Sequence, residues 1–587
     1  MLMITTILTL STIVLTGGFA EYVNQTNQRL VADPQLGSND VEEKDYAWAD
    51  LDKDGDIDLV CVRKEPFTST GRARNVLFMN ENGQLVDRTE QYAVASDVQG
   101  DEGFLTPTND RDVIIHDING DTWLDMVTVT TLTDNDEKHL SHPRVYLNLG
   151  EIDGNWQGFR FENDRIPEMH SSAGPRFCSL AIEDVTGDGH PDLYFGDYDS
   201  GTTQIFDYNN RLLVNDGKGY FTDESTKRLT DEMLLSAFGA ASEMADMNGD
   251  GVLDIVKQTS LNPPQHIAIT YNNPNNEGYF NGYDIVDELA PYFVTVGDLN
   301  GDGRQDLVVV DDGSDHYYLN TGNGGDGFAN FDMFTFEESD GFGGNAIIRD
   351  LNNDGHEDVI ITDVDVDIAG CSRDTLIYRN LGNTPNVSFS KQNAGIPDDY
   401  LLGIHDVAVF DINGDGWLDI VAGRCETTEI WMQDIPSGIV FTYPNGLPGF
   451  ISPGQPHIFS VDTALIGEGI IDPSSASITV VIDDTESTYQ MTQQSKTLFE
   501  ATIPPIDCAV DTSFKISVSL TNGKTYSDPP ADYYGVTIGE GTELQFRDEI
   551  EGDVSSWSVL NSDMLQTGSW EQANPVGTIY GSGLAAP

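Results

Sequence analysis

Residues Phe293–Val310 read FVTVGDLNGDGRQDLVVV. An alternating run, FVTVG, is the pattern of a half-buried strand, and the β-branched run LVVV is that of a fully buried one. Between them lie nine residues, Asp298–Asp306, with oxygen-bearing side chains at positions 1, 3, 5 and 9 and glycine at positions 4 and 6. A short acidic turn between two strands is therefore the unit to look for elsewhere in the chain.

It occurs seven times in all, starting at Asp50, Asp117, Asp184, Asp246, Asp298, Asp350 and Asp411. Each copy follows an apolar or alternating run (YAWAD, DVIIHD, CSLAIED, AASEMAD, FVTVGD, NAIIRD, DVAVFD) and precedes another (LVCV, MVTV, LYF, IVKQ, LVVV, VIIT, IVAG). A second pair of runs follows across Asn/Gly turns, as in VLFMNENGQLVDRT and RLLVNDGKGYFTDES, a strong hairpin signal. A unit of about four antiparallel strands repeated seven times predicts an all-β, seven-bladed β-propeller. The stretch EYVNQTNQRLVAD, from Glu21, is expected to pair with the seventh unit around Glu429–Tyr443 and close the ring.

Hard oxygen donors in this spacing, with a main-chain carbonyl at position 7, suit Ca²⁺ and its six to eight oxygen contacts. The first candidate set is Asp50, Asp52, Asp54, Asp56 and Asp58, with Asp56 acting through its carbonyl. The second is Asp117, Asn119, Asp121 and Asp125; the third is Asp184, Thr186, Asp188, His190 and Asp192. Next come Asp246, Asn248, Asp250, Val252 and Asp254, then Asp298, Asn300, Asp302, Arg304 and Asp306. The last two are Asp350, Asn352, Asp354, His356 and Asp358, and Asp411, Asn413, Asp415, Trp417 and Asp419. Up to seven Ca²⁺ are expected. Thr122 at position 6 should strain the second loop, and Thr186 supplies only a hydroxyl at position 3. An EF-hand is excluded: position 12 holds Cys61, Thr128, Phe195, Lys257, Val309, Ile361 or Ala422, never an acid, and lies in a strand.

With their flanking strands, the seven loops resemble the FG-GAP/VCBS repeats of integrin α-subunit propellers and of many secreted bacterial proteins, over about residues 21–447. The resemblance implies calcium loops that brace the blades on one face and ligands that meet the opposite face.

With 98 acidic and 29 basic residues the formal net charge is −69, which disfavours nucleic acid and anionic lipid as partners. The apolar start MLMITTILTLSTIVLTGGFA, residues 1–20, reads as a signal peptide, and no other segment is long enough to span a membrane. A secreted or cell-surface location follows. After a Pro/Gly-rich linker, residues 448–540 alternate like a small immunoglobulin- or fibronectin-type sandwich, and residues 541–587 resemble the opening of a jelly-roll module or a disordered tail.

The five cysteines form no CxxC pair. Cys371 and Cys425 follow the second strands of adjacent units and are either a disulfide or two separate buried thiols. Arg63, Lys64, Arg72, Arg74 and Arg424 fall in the first and seventh units, which the ring brings together. They form a candidate cationic sector for an acidic ligand, unless they pair with nearby acids. Neither GxSxG nor HExxH occurs. The expected function is calcium-dependent recognition or adhesion toward an extracellular glycan or protein. The alternative is a secreted polysaccharide-degrading enzyme of lyase type, or its carbohydrate-binding part.

Overall fold

The computed structural model describes residues 19–65, 72–131, 137–169, 177–197, 210–234, 241–259, 266–289, 291–339, 341, 344–362, 371–434, 438–466, 470–483, 485–508, 510–521, 523–530, 533–539, 578–580 and 584–586. The expected signal peptide thus lies outside the described residues except for Phe19 and Ala20. Of the 541–587 segment only the paired strands Thr578–Tyr580 and Leu584–Ala586 are described.

The chain divides into two compact units, Met1–Ile435 and Pro436–Pro587. In the first, each acidic turn joins the first and second strands of an antiparallel sheet. The pairs are Glu43–Ala49 with Asp58–Lys64, Asp110–His116 with Asp125–Thr130, Phe177–Glu183 with Asp192–Asp197, and Ser242–Ala245 with Asp254–Thr259. Pro291–Gly297 with Asp306–Asp311, Ala346–Arg349 with Asp358–Thr362, and Ile404–Phe410 with Asp419–Arg424 complete the set. Third and fourth strands extend each sheet outward, giving four or five strands apiece.

The fourth strand of the seventh sheet comes from the other end of the chain: Tyr22–Asn24 pairs antiparallel with Thr427–Gln433. Only this part of the expected N-terminal closure belongs to the seventh sheet, because Leu30–Val31 continues into the first, parallel to Leu85–Asp87. Gly438–Thr442, expected in the seventh repeat, instead pairs with His457–Ile466, so the second unit starts ahead of residue 448.

Each core of the first unit is shared by consecutive sheets. Val60 and Leu77 of the first meet Met126 and Tyr146 of the second, and Val256 and Ile269 of the fourth meet Leu307 and Val309 of the fifth. Tyr46, Leu59 and Phe78 of the first meet Phe410, Val421 and Ile430 of the seventh, so the sheets close in a ring. The architecture is a propeller. A sheet buried on both faces needs apolar residues at every position, which is why the second strands lack polar alternation.

In the second unit, a four-stranded and a five-stranded sheet share one core. Val461, Phe499 and Ala501 from one face Ile478, Val480, Phe514 and Ile516 from the other. Thr512–Leu520 buries every second side chain there, the period-2 pattern that its sequence shows.

Candidate metal centre and its surroundings

All seven acidic turns are described, and they share one backbone path. Position 4 has positive φ, from Asn353 at 54° to Gly120 at 75°, and position 6 from Thr122 at 75° to Gly55 at 99°. Glycine at position 6 relieves that cost in six loops. Thr122 bears it as expected, and Lys53 and Asn353 bear it at position 4. These two reversals turn backbone N–H groups inward. In the loop at Asp298, Asp298 Oδ1 accepts from Asp302 N at 3.1 Å and Oδ2 from Gly303 N at 2.8 Å. Asn300 Oδ1 accepts from Asp302 N at 3.0 Å, and Asp302 Oδ1 from Arg304 N at 3.0 Å. The same bonds recur at Asp117, Asp246, Asp350 and Asp411.

The fit to a cation is clearest in the first loop. One carboxylate oxygen each from Asp50, Asp52 and Asp58 lie within 4.8 Å of one another, and buried Asp50 Oδ1 has no hydrogen-bond partner. Three acids so close repel, and an oxygen hidden from water without a donor is costly. In the five loops with Asn at position 3, that side chain's amide donates to the position-5 aspartate, as Asn300 does to Asp302 at 3.0 Å. An arginine adds to this in two loops: Arg304 contacts Asp302, and Arg379 reaches Asp354 at 3.2 Å. At position 7, the His190 and His356 rings lie where a Cβ on Gly217 or Gly382 would fall. They pack on the neighbouring turn.

The position-9 aspartates are buried and hold more than a metal ligand's place. Asp306 Oδ2 accepts from Leu299 N at 2.9 Å and Oδ1 from Asn320 N at 2.7 Å. Burial, against these two bonds and with the other loop carboxylates, pushes these groups up: to about 8 in Asp58 and Asp125, about 7 in Asp254, Asp358 and Asp419, and about 6 in Asp192 and Asp306.

Sequence reasoning missed their partner. The third strand ends in Asn80, Asn148, Asn215, Asn272 or Asn380, and in Gln433 in the seventh sheet; in the fifth sheet Asn320 stands within the third strand, His316–Asn323. Its backbone N–H braces the position-9 aspartate of its own sheet. Its side-chain amide donates to the position-2 carbonyl of the preceding sheet's loop. Asn148 reaches Leu51, Asn215 Ile118, Asn272 Val185, Asn320 Met247 and Asn380 Leu299, each at 2.8 Å. Gln433 reaches Leu351 at 3.0 Å, and Asn80 reaches Ile412 at 2.9 Å, so the circuit closes. The signal was present as the repeated Asn in LFMN, YLN, LLVN and YRN, but read only as a turn residue.

On the opposite edge, the expected cationic sector is largely spent in pairs. Arg63 is buried against Asp40 at 2.6 Å, and Lys64 against Glu43 at 2.8 Å. Arg424 pairs with Glu429 at 3.0 Å. Arg72 and Arg74 are half-buried, and Arg74 lines a surface pocket that Asp87 and Glu90 also line. Cys371 and Cys425 do form a disulfide, with Cα atoms 6.1 Å apart. Cys61 and Cys178 are buried thiols, and Cys508 is exposed.

The FG-GAP-like repeat family matches this chain at residues 184–256, 298–361 and 350–422. A solved structure described as the Dos1 propeller is similar at 8% identity and a TM-score of 0.39, over 70% of this chain and 95% of that one. No curated protein matches. No helix among the described residues is long and apolar enough to cross a membrane.

Proposed function

The chain belongs to the FG-GAP-like repeat propellers, and on that premise we propose that it is a secreted or cell-surface, calcium-stabilised, seven-bladed recognition protein, followed by a sandwich of immunoglobulin or fibronectin kind. The observation that carries the reading is the converging donor set of the first loop, with its orphaned Asp50 oxygen, on a backbone path repeated in all seven. Side chains at positions 1, 3, 5 and 9 and the position-7 carbonyl would hold each ion. A bound Ca²⁺ supplies the positive charge that lets the three carboxylates ionise together. The chain's own residues do the rest: the position-9 aspartate ties the loop to the third strand, and the Asn/Gln circuit ties each loop to its neighbour. Calcium bound in the loops thereby stiffens the ring that presents the opposite face to a glycan or protein.

Calorimetric titration of the chelator-stripped chain with Ca²⁺, together with its melting temperature, tests this. Ligand at a hundredfold its Kd adds about 2.7 kcal/mol per site, so several sites raise Tm by many degrees. Identical melting with Ca²⁺ and with EDTA rejects the reading.

A further inference from the structure

The first strands of all seven sheets begin around one cavity of about 310 Å³, at the end of the sheets away from the acidic turns. We propose that this cavity binds a small organic cation carrying a primary ammonium group, held by Asp45, Asp112, Asp406 and Glu243. The inference deepens the recognition reading above by naming a ligand class for that face.

The carboxyls form an arc. Asp45 of the first sheet lies within electrostatic reach of Asp406 of the seventh and Asp112 of the second, and Glu243 of the fourth within reach of Asp112. Backbone and amide donors hold them in place: Tyr46 N to Asp406 Oδ2 at 3.0 Å, Asn345 Nδ2 to Asp406 Oδ1 at 2.9 Å, and Leu180 N to Asp112 Oδ2 at 2.8 Å. The cations nearby have carboxylate or carbonyl partners, though the Arg111 charge also acts on Asp45 and Asp112. Arg111 and Lys64 both pair with Glu43, and Lys44 donates to the carbonyls of Asp40, Glu42 and Arg424.

A second feature points the same way. His405 lines the cavity, is 5% exposed, and its Nδ1 has no hydrogen-bond partner. Its Nε2 lies 3.3 Å from Cys425 Sγ. That sulfur is in a disulfide and has no hydrogen to give, so Nε2 carries the proton and Nδ1 offers a lone pair. Burial, with Lys44 next, holds the imidazole neutral by lowering it to about 3. A strand irregularity between Ile404 and Asp406 places His405 out of register, and another between Asp110 and Asp112 does the same for Arg111.

Four carboxyls that ionise as a cation approaches, together with the His405 lone pair, select a donor-rich cation. The volume, roughly ten times a water's share, also suits an organic molecule.

The test uses the full chain in saturating Ca²⁺, titrated calorimetrically with 1,5-diaminopentane and D-glucosamine. Their uncharged counterparts are 1,5-pentanediol and N-acetylglucosamine. At least one charged probe should bind while its counterpart does not, and Asp45→Asn should weaken it about tenfold or more. Glu243→Gln serves if Asp45→Asn does not fold. The inference is overturned if neither charged probe binds at millimolar concentration, if charged and neutral probes bind alike, or if the variant loses stoichiometric Mn²⁺ instead. Chelation melting on the same sample separates the two readings. A calcium-dependent Tm without probe binding sinks only the channel inference, and probe binding with a calcium-independent Tm sinks only the calcium reading.

Discussion

Asn272 makes, with one side chain, the bonds that a propeller needs between neighbours. Its amide spans to Val185 of the preceding sheet at 2.8 Å and to Leu253 of its own loop at 3.0 Å, and its Oδ1 accepts from Gly278 N at 2.8 Å. Asn272→Ala leaves two buried carbonyls and one N–H without partners. A buried polar group stripped of its partner costs about 1 to 3 kcal/mol, so the variant should lose at least that in a denaturant melt. A loss under about 0.5 kcal/mol, the size of an ordinary surface substitution, would mean that the circuit is incidental. Seven side chains of the right length at one strand position were visible in the sequence. What each one reached was not, since its acceptor lies in the loop of the previous repeat.

At the scale of the element, the acidic turns differ in how well their backbones suit them. The loop at Asp298 has Gly301 and Gly303 at its two left-handed positions, with φ of 70° and 84°. The loop at Asp117 has Thr122 at 75°, where a β-branched residue is strained. A strained loop holds its ion less tightly and has less to lose. Asp302→Ala should therefore lower the Tm in Ca²⁺ more than Asp121→Ala, by about 1 kcal/mol or more at the midpoint. In EDTA the two variants should converge. Equal losses in Ca²⁺ would show that Thr122 has no bearing on affinity. The repeat and its oxygen-bearing side chains were legible because this turn repeats its side-chain types at fixed spacing. The left-handed turn at position 4 was not read, because Lys53 and Asn353 occupy it without glycine.

For the whole molecule, the central cavity makes stability depend on pH even with the loops saturated. Burial raises Asp112 to about 6 and Asp406 and Glu243 to about 7, and it raises Asp45 well above its ordinary value. Their folded values exceed the unfolded ones, so the stability they contribute is complete below about pH 4. It is lost as pH rises through about 6 to 7, at up to about 1.4 kcal/mol per pH unit for each group. In saturating Ca²⁺ the Tm should fall from pH 5 to pH 8, and Asp406→Asn, which cannot ionise, should flatten that fall. A slope unchanged in the variant would locate the titration elsewhere.

The sequence by itself determined the repeat, the strand–loop–strand unit, the donor spacing of the acidic turns and the all-β class. Each of these is local: side-chain period follows the pleat, and the acidic turn closes on bonds between its own side-chain oxygens and backbone N–H groups at set intervals along the chain. Tertiary structure decided what the ring brings together. It gave Tyr22–Asn24 to the seventh sheet and Leu30–Val31 to the first, took Gly438–Thr442 into the second unit, and joined Cys371 to Cys425. It also turned Arg63, Lys64 and Arg424 from an apparent cationic sector into buried or half-buried pairs with Asp40, Glu43 and Glu429. The physical reason is common to all of these. A charge's partner and a strand's neighbour are set by which repeats lie side by side once the ring closes. In the chain, Lys44 and Arg424 stand at opposite ends of the propeller; in the fold, the Lys44 ammonium donates to the Arg424 carbonyl at 2.9 Å.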